Sequence, residues 1–286
     1  MRITCTPRRI RAFLAGATLA GCMTAAASAA EATLAPAAPA TPAAPAAPAA
    51  PAAPATPAQA VAQPPAAFQK ISLPPSADLH YKIRAQQSGL SIDGTGEVQW
   101  QVGGGRFSVT SESRASLFGK VLEAKSVGEV DQFGLAPASF NNKRFRKDAT
   151  ITTFDRQSKT ISFSASAVTY PIKGGEQDRN SVMWQLIGVA RGAEGKFKAG
   201  SEWRFFVAGQ RDAEPWIFRV GKTERIRTAM GEVSTVHVVR APPPDAKGQQ
   251  LDIWLAPAME WYPARVRFTD PDGDYIEQML ESIGRT

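Results

Sequence analysis

The sequence predicts a mainly β protein: a single antiparallel, strongly curved sheet or open barrel of about ten strands packed around one amphipathic helix. Three observations predict it. Apolar and polar residues alternate with period two in run after run. Clusters of Gly, Pro and Asp separate those runs. A single stretch, residues 178–191, has helical periodicity instead.

The chain opens with a basic segment, "MRITCTPRRIR", that holds no acid. A short apolar run over residues 12–20 follows, well below the ~20 residues needed to span a bilayer. A positive start, a short apolar run and small residues after it describe a secretory signal. Two cut sites compete. "LAGC" at residues 19–22 resembles the bacterial lipobox, which implies cleavage before Cys22 and lipid attachment to its thiol. Met23 follows, and a non-acidic residue there implies transfer to the outer membrane in two-membrane bacteria. "ASA" at residues 27–29 suits the ordinary signal peptidase. The signal is therefore residues 1–21, or alternatively 1–29.

Residues 22–67 form a Pro/Ala-rich linker or stalk, almost wholly Pro, Ala and Thr from residue 34 onward. Pro fixes φ and removes backbone donors, and Ala has little to bury, so no core can form there. At ~3.1 Å per residue in polyproline II, such a tract reaches on the order of 100 Å. A stalk of that kind has a purpose when its start is anchored, as a lipidated Cys22 would be.

The whole chain carries a net charge of +7, but Arg2, Arg8, Arg9 and Arg11 leave with the signal. The exported part is then +3, which makes no case for nucleic-acid binding. Cys5 and Cys22 are the only cysteines, so the exported domain holds no disulfide and rests on its core.

Residues 68–286 read as one β-rich domain. "LHYKIRA" places Leu79, Tyr81, Ile83 and Ala85 on one face and His80, Lys82 and Arg84 on the other. "WRFFV", "WIFRV", "LDIWL" and "ARVRF" alternate in the same way and mark strands with one buried face. "ISFSASAVTY", residues 161–170, reads as one strand. Turns are expected at "DGTG" (93–96), "GGG" (103–105), "GL" (134–135), "PPPDAKG" (242–248) and "DPDGD" (270–274).

The helix presents a stripe of Val182, Met183, Leu186, Ile187, Val189 and Ala190. Asp178 is its expected cap, with Ser181 three residues on, and Gly192 its stop. Trp184 falls at the stripe's edge, over the expected seam between helix and sheet. It is a candidate ligand-facing residue, as is Trp254 beside a strand end.

Enzyme motifs such as G-x-S-x-G, H-E-x-x-H and the Walker loop do not occur. His80 and His237 lie in separate strands, which argues against a dyad or a two-histidine metal site. "DPDGD" carries three carboxylates, but its glycine comes too early for an EF-hand loop. No catalytic residue, metal ligand or cofactor site is assigned.

Several stretches in order resemble a bacterial family known as domain of unknown function 3108. They are "LHYKIRAQQSGLSIDGTGEVQW", "FGLAPASFNNKR", "QDRNSVMWQL", "GEVSTVHVVR", "DIWLAPAMEWYPARVRF" and "DGDYIEQML". The resemblance covers most of residues 78–283 and implies an exported envelope protein, with no reaction or catalytic residue attached. At the level of fold, the layout also looks like the half-barrels of lipoprotein carriers such as LolA and LolB. The expected function is a non-catalytic envelope protein in the periplasm, tethered to the outer membrane through Cys22. Its curved sheet binds an apolar or lipid-like ligand or an envelope partner. The alternatives are a soluble periplasmic interaction module and a hydrolase acting on envelope material. A dry apolar cavity favours the carrier. A polar cleft with an acid of raised pKa favours the enzyme. A filled core with exposed apolar side chains favours docking.

Overall fold

The computed structural model describes residue 63 and residues 68–193, 195–242 and 248–285. Cys22, both cleavage sites and most of the Pro/Ala tract lie outside the described residues.

The first half of the domain is a run of eight strands: β1 (Ala77–Gln87), β2 (Leu90–Gly103), β3 (Arg106–Ala115), β4 (Gly119–Asp131), β5 (Gly134–Arg144), β6 (Thr150–Asp155), β7 (Thr160–Phe163) and β8 (Ser166–Pro171). A two-residue β9 (Gln177–Asp178) leads into α1 (Ser181–Gly192). The return half is β10 (Glu202–Ala208), β11 (Ala213–Thr228), β12 (Gly231–Arg240), β13 (Gln250–Leu255), β14 (Pro263–Thr269) and β15 (Tyr275–Arg285). All fifteen lie in one sheet, with β1 paired to β15 at its centre and β8 and β9 at its edges. Every pair is antiparallel but β9 with β10.

Fifteen strands stand where about ten were expected. The excess comes from strands with weak hydrophobic alternation. β3 reads "RFSVTSESRA" and β4 "GKVLEAKSVGEVD", rich in Ser, Glu and Lys. Both are held between neighbours along most of their length, so pairing overrides a weak pattern. "DGTG" is strand interior and not a turn. Gly94 is required there because a β-carbon would stand 2.2 Å from the Arg114 carbonyl oxygen. "ISFSASAVTY" is two strands, folded back where Phe163 faces Ser166.

The inner face follows the alternation. Leu79 and Tyr81 of β1, Trp216 and Phe218 of β11 and Leu251 and Ile253 of β13 join one core. A second cluster sits where the two halves meet. Phe154 and Ile161 from the first half pack with Phe206 and Ala213 from the second. Nearby, Thr152 Oγ1 donates to the Gly209 carbonyl at 2.7 Å, and Gln210 Nε2 donates to Asn142 Oδ1. β8 and β9 do not pair with each other, so the sheet approaches a barrel through side chains and not through a closing ladder.

Candidate functional site: the concave face and the hairpin tips

α1 lies inside the concave face. Its expected stripe is buried apart from the half-buried Met183, but so are Ser181, Trp184, Gln185, Gly188 and Gly192. The amphipathic expectation therefore needs correction: the helix is enclosed nearly all round. The cause is a strap, residues 68–76, which crosses the side facing away from the sheet. Ser72 N–H donates to the Gly188 carbonyl at 3.0 Å. A β-carbon on Gly188 would meet Ile71, and one on Gly192 would stand 2.2 Å from the Lys70 carbonyl oxygen. The two glycines make the groove in which the strap lies. Trp100 Nε1 donates to the Pro74 carbonyl and Tyr262 Oη to the Pro75 carbonyl, fixing the strap to the sheet.

The N-cap is Asn180 and not the expected Asp178, and the expected stop, Gly192, is the last helical residue. Asp178 instead ends β9 and is joined to the first helical residue by reciprocal bonds. Its Oδ1 accepts from Ser181 N–H at 2.8 Å and Ser181 Oγ accepts from Asp178 N–H at 3.0 Å. Asn180 N–H and Ser126 Oγ also donate to Oδ1. Burial pushes the Asp178 carboxyl above the usual aspartate range, against the lowering effect of these bonds. The raised acid is thus enclosed by protein beside the start of the helix and is not a group in a cleft.

Trp184 is 2% exposed and stacks on Trp100 with ring centroids 4.2 Å apart. Tyr262 meets it edge-on. It is core, not seam. Trp254 lies on the opposite, convex face, because Leu251, Ile253 and Leu255 alternate with it toward the core. There it stacks on His237 at 4.5 Å, carries the Arg265 guanidinium over its ring, and donates Nε1–H to Glu224 at 2.9 Å. His237 Nε2 lies 2.9 Å from Asp252 Oδ1. Burial raises the Asp252 pKa, but the His237 and Gln250 hydrogen bonds outweigh it and hold the carboxyl below its usual range. His80 is on β1, with β15, β14 and β13 between it and His237 on β12, so the two do not converge. Trp184 and Trp254 sit on opposite faces of the sheet and share no site.

What the concave face lacks in free apolar surface, the hairpin tips supply. The β1–β2, β3–β4 and β14–β15 turns and the β5–β6 connection lie at one end of the sheet. Leu117 is 82% exposed, Leu90 58% and Phe118 54%. Phe118 and Phe145 rings are 6.2 Å apart, and the Arg146 guanidinium lies 4.9 Å over Phe145. Lys143, Arg144, Arg146 and Lys147 face one nearby acid in sequence, Asp148. The alternation rule could not find these residues, since tips fall between the runs it reads. The adjacent pair "LF" inside "RASLFGK" was the available signal.

Fold and site together define a barrel-like protein, an open sheet curved around one strapped helix. The chain belongs to the family described as Protein of unknown function (DUF3108), whose pattern matches residues 77–281. The strap precedes that matched region. A solved structure titled a beta-barrel-like protein of domain of unknown function DUF1849 from Brucella abortus is similar in fold. It is 13% identical with a TM-score of 0.52, covering 76% of this chain and 99% of that one. A putative outer membrane lipoprotein-sorting protein domain from Vibrio parahaemolyticus aligns at 7% identity and a TM-score of 0.23, over 73% of this chain and 84% of that one. No curated protein matches the chain.

Proposed function

We propose that this is an exported envelope protein that acts by binding, without catalysis, and that its hairpin tips dock on an anionic lipid surface. The observation that carries the reading is Leu117, 82% exposed, beside Phe118 at 54%. Side chains so exposed add little to the fold where they stand and mark an interaction surface. Moving a Leu and a Phe from water into lipid is worth ~1.5–3 kcal/mol each. Each Lys or Arg near an anionic surface adds about 1 kcal/mol. The concave face supports docking over carriage, since α1 and the strap occupy it. The signal-like start and the "LAGC" motif support export and a lipid anchor at Cys22.

The test is flotation of the Cys22→Ala chain, which has no acyl group, with vesicles. Binding is expected with phosphatidylglycerol vesicles and not with phosphatidylcholine alone. Leu117→Asp/Phe118→Asp should abolish it with an unchanged melting temperature. Failure of the Cys22→Ala chain to float with either vesicle rules out the docking reading. The anchor is tested separately: the intact mass of the exported chain should begin at Cys22 and carry a diacylglyceryl group, and an unmodified start at Ala30 or Glu31 overturns it.

A further inference from the structure

Three arginines converge at the same end of the molecule, on the inner face. On β5, Phe140, Asn142 and Arg144 share the face that turns toward α1, opposite Ser126, Ala124 and Leu122 of β4. On β12, Arg240 follows Val236 and Val238 on the core side. Arg179 stands between β9 and α1, with its guanidinium so close over Gly209 that a β-carbon there would lie 3.0 Å from Nε. The next residue, Gln210, bonds Asn142 and so draws the β10–β11 turn against the end of β5. Arg240 has Glu214 as a partner at 3.0 Å and lies over the Trp216 ring. Among the described residues, neither Arg144 nor Arg179 has a carboxylate partner. Burial, and then the like charge of Arg179, lower the Arg144 pKa, and the same neighbour acts on Arg240. Arg144 and Arg240 are half-buried and Arg179 is exposed, and three like charges gathered around the single carboxylate of Glu214 are unfavourable unless an anion completes them.

We propose that Arg144, Arg179 and Arg240 form a binding site for a phosphate-type oxyanion at the mouth of the curved sheet. Planar guanidiniums suit such an anion because each presents paired N–H donors to two of its oxygens. The inference goes beyond the docking reading and does not need Leu117 or Phe118. The anion is either free phosphate or a lipid phosphomonoester head group, and the same chemistry recognises both.

The experiment uses the Cys22→Ala chain and its Arg144→Gln/Arg179→Gln variant. Arg240 is left in place so that Glu214 keeps its partner. Inorganic phosphate is titrated by calorimetry and by thermal shift, against chloride at matched ionic strength. Vesicles containing phosphatidic acid are titrated in parallel. Phosphate should raise the melting temperature of the parent chain, and the variant should bind about tenfold more weakly for each arginine lost. Binding of free phosphate in an arginine-dependent way supports the site with a soluble ligand. Arginine-dependent binding of phosphatidic acid vesicles alone supports it with a lipid head group. In phosphate-free buffer the variant should melt at or above the parent, because like-charge repulsion has been removed. A variant that melts several degrees lower makes the arginines structural and overturns the proposal. So does a variant that binds both probes like the parent, or a parent that binds neither.

Discussion

Asp178 shows how a residue that reads as chemistry can serve structure. Its carboxyl is fully buried, and burial raises its pKa despite bonds from Ser126, Ser181 and Asn180. The folded chain therefore holds this proton at pH values where the unfolded chain, titrating near ~3.9, has released it. The native state binds more protons in that window, so this group's contribution to stability falls as pH rises through it. Asp178→Asn keeps an acceptor for the helix amides but has no such titration. The stability difference between wild type and Asp178→Asn, from urea melts at about pH 4 and pH 7, should shift toward the variant at the higher pH. A constant difference would show that the carboxyl ionises normally in the fold. Trp184 and Leu186 make a second case. Leu186 is wholly buried, and Leu186→Ala should cost ~2–5 kcal/mol. Trp184 stacks on Trp100 within the same core, so Trp184→Ala should cost at least as much, ~3–5 kcal/mol. A position at the edge of the stripe, taken alone, implies a smaller loss. Helical spacing records which side faces the sheet, but it cannot see a strap arriving from residues 68–76. Equilibrium denaturation of both variants checks the pair, and a Leu186→Ala protein that unfolds like wild type would place the helix outside the core.

At the scale of elements, α1 and the strap are one unit. The helix was legible because Val182, Leu186, Ile187 and Val189 recur at helical spacing, with Asp178 before them and Gly192 after. The strap was not legible, because "FQKISLPPS" has neither period and its partners, the Gly188 carbonyl and the Trp100 and Tyr262 side chains, lie far along the chain. Gly188 and Gly192 carried the signal: two glycines four apart inside a helix make room for backbone. Gly192→Ala should therefore destabilise by ~1–3 kcal/mol and loosen the strap, since Lys70 backbone lies where the methyl would go. Gly103→Ala is the control, having open space around its β-carbon and no strained φ. Limited proteolysis should cut Gly192→Ala near Lys70 faster than either wild type or Gly103→Ala. Equal cutting rates would mean that the strap does not depend on the groove. The strands divide in the same way. β1, β10, β11, β13 and β14 were readable from alternation. β3 and β4 were hidden because Ser, Thr and Glu occupy both of their faces, and pairing on each side fixes them.

For the whole molecule, fold class and family were legible in the sequence, and the site was only partly so. Hydrophobic patterning reveals what is buried, so it points to the core and passes over side chains whose meaning lies in being exposed. Leu90, Leu117, Phe118 and Met230 are of that kind, each at or beside a turn. A helix covering only one side of the concave face would leave room there for a ligand. With Trp184 stacked on Trp100 and the strap across Gly188, that face is filled, and the proposed docking site lies instead at the hairpin tips. Docking there requires that the apolar tips, and not general basicity alone, hold the protein to anionic lipid, which salt distinguishes, because exposed charge pairs are screened over ~8–10 Å at physiological salt while apolar burial is not. The most direct measurement is fluorescence quenching by brominated phosphatidylglycerol vesicles of a Cys22→Ala chain carrying Phe118→Trp, compared at low and physiological salt. Quenching of the new tryptophan that persists at physiological salt is expected; a tip that stays unquenched while the protein is bound, or binding that vanishes with salt, contradicts docking through the hairpin tips.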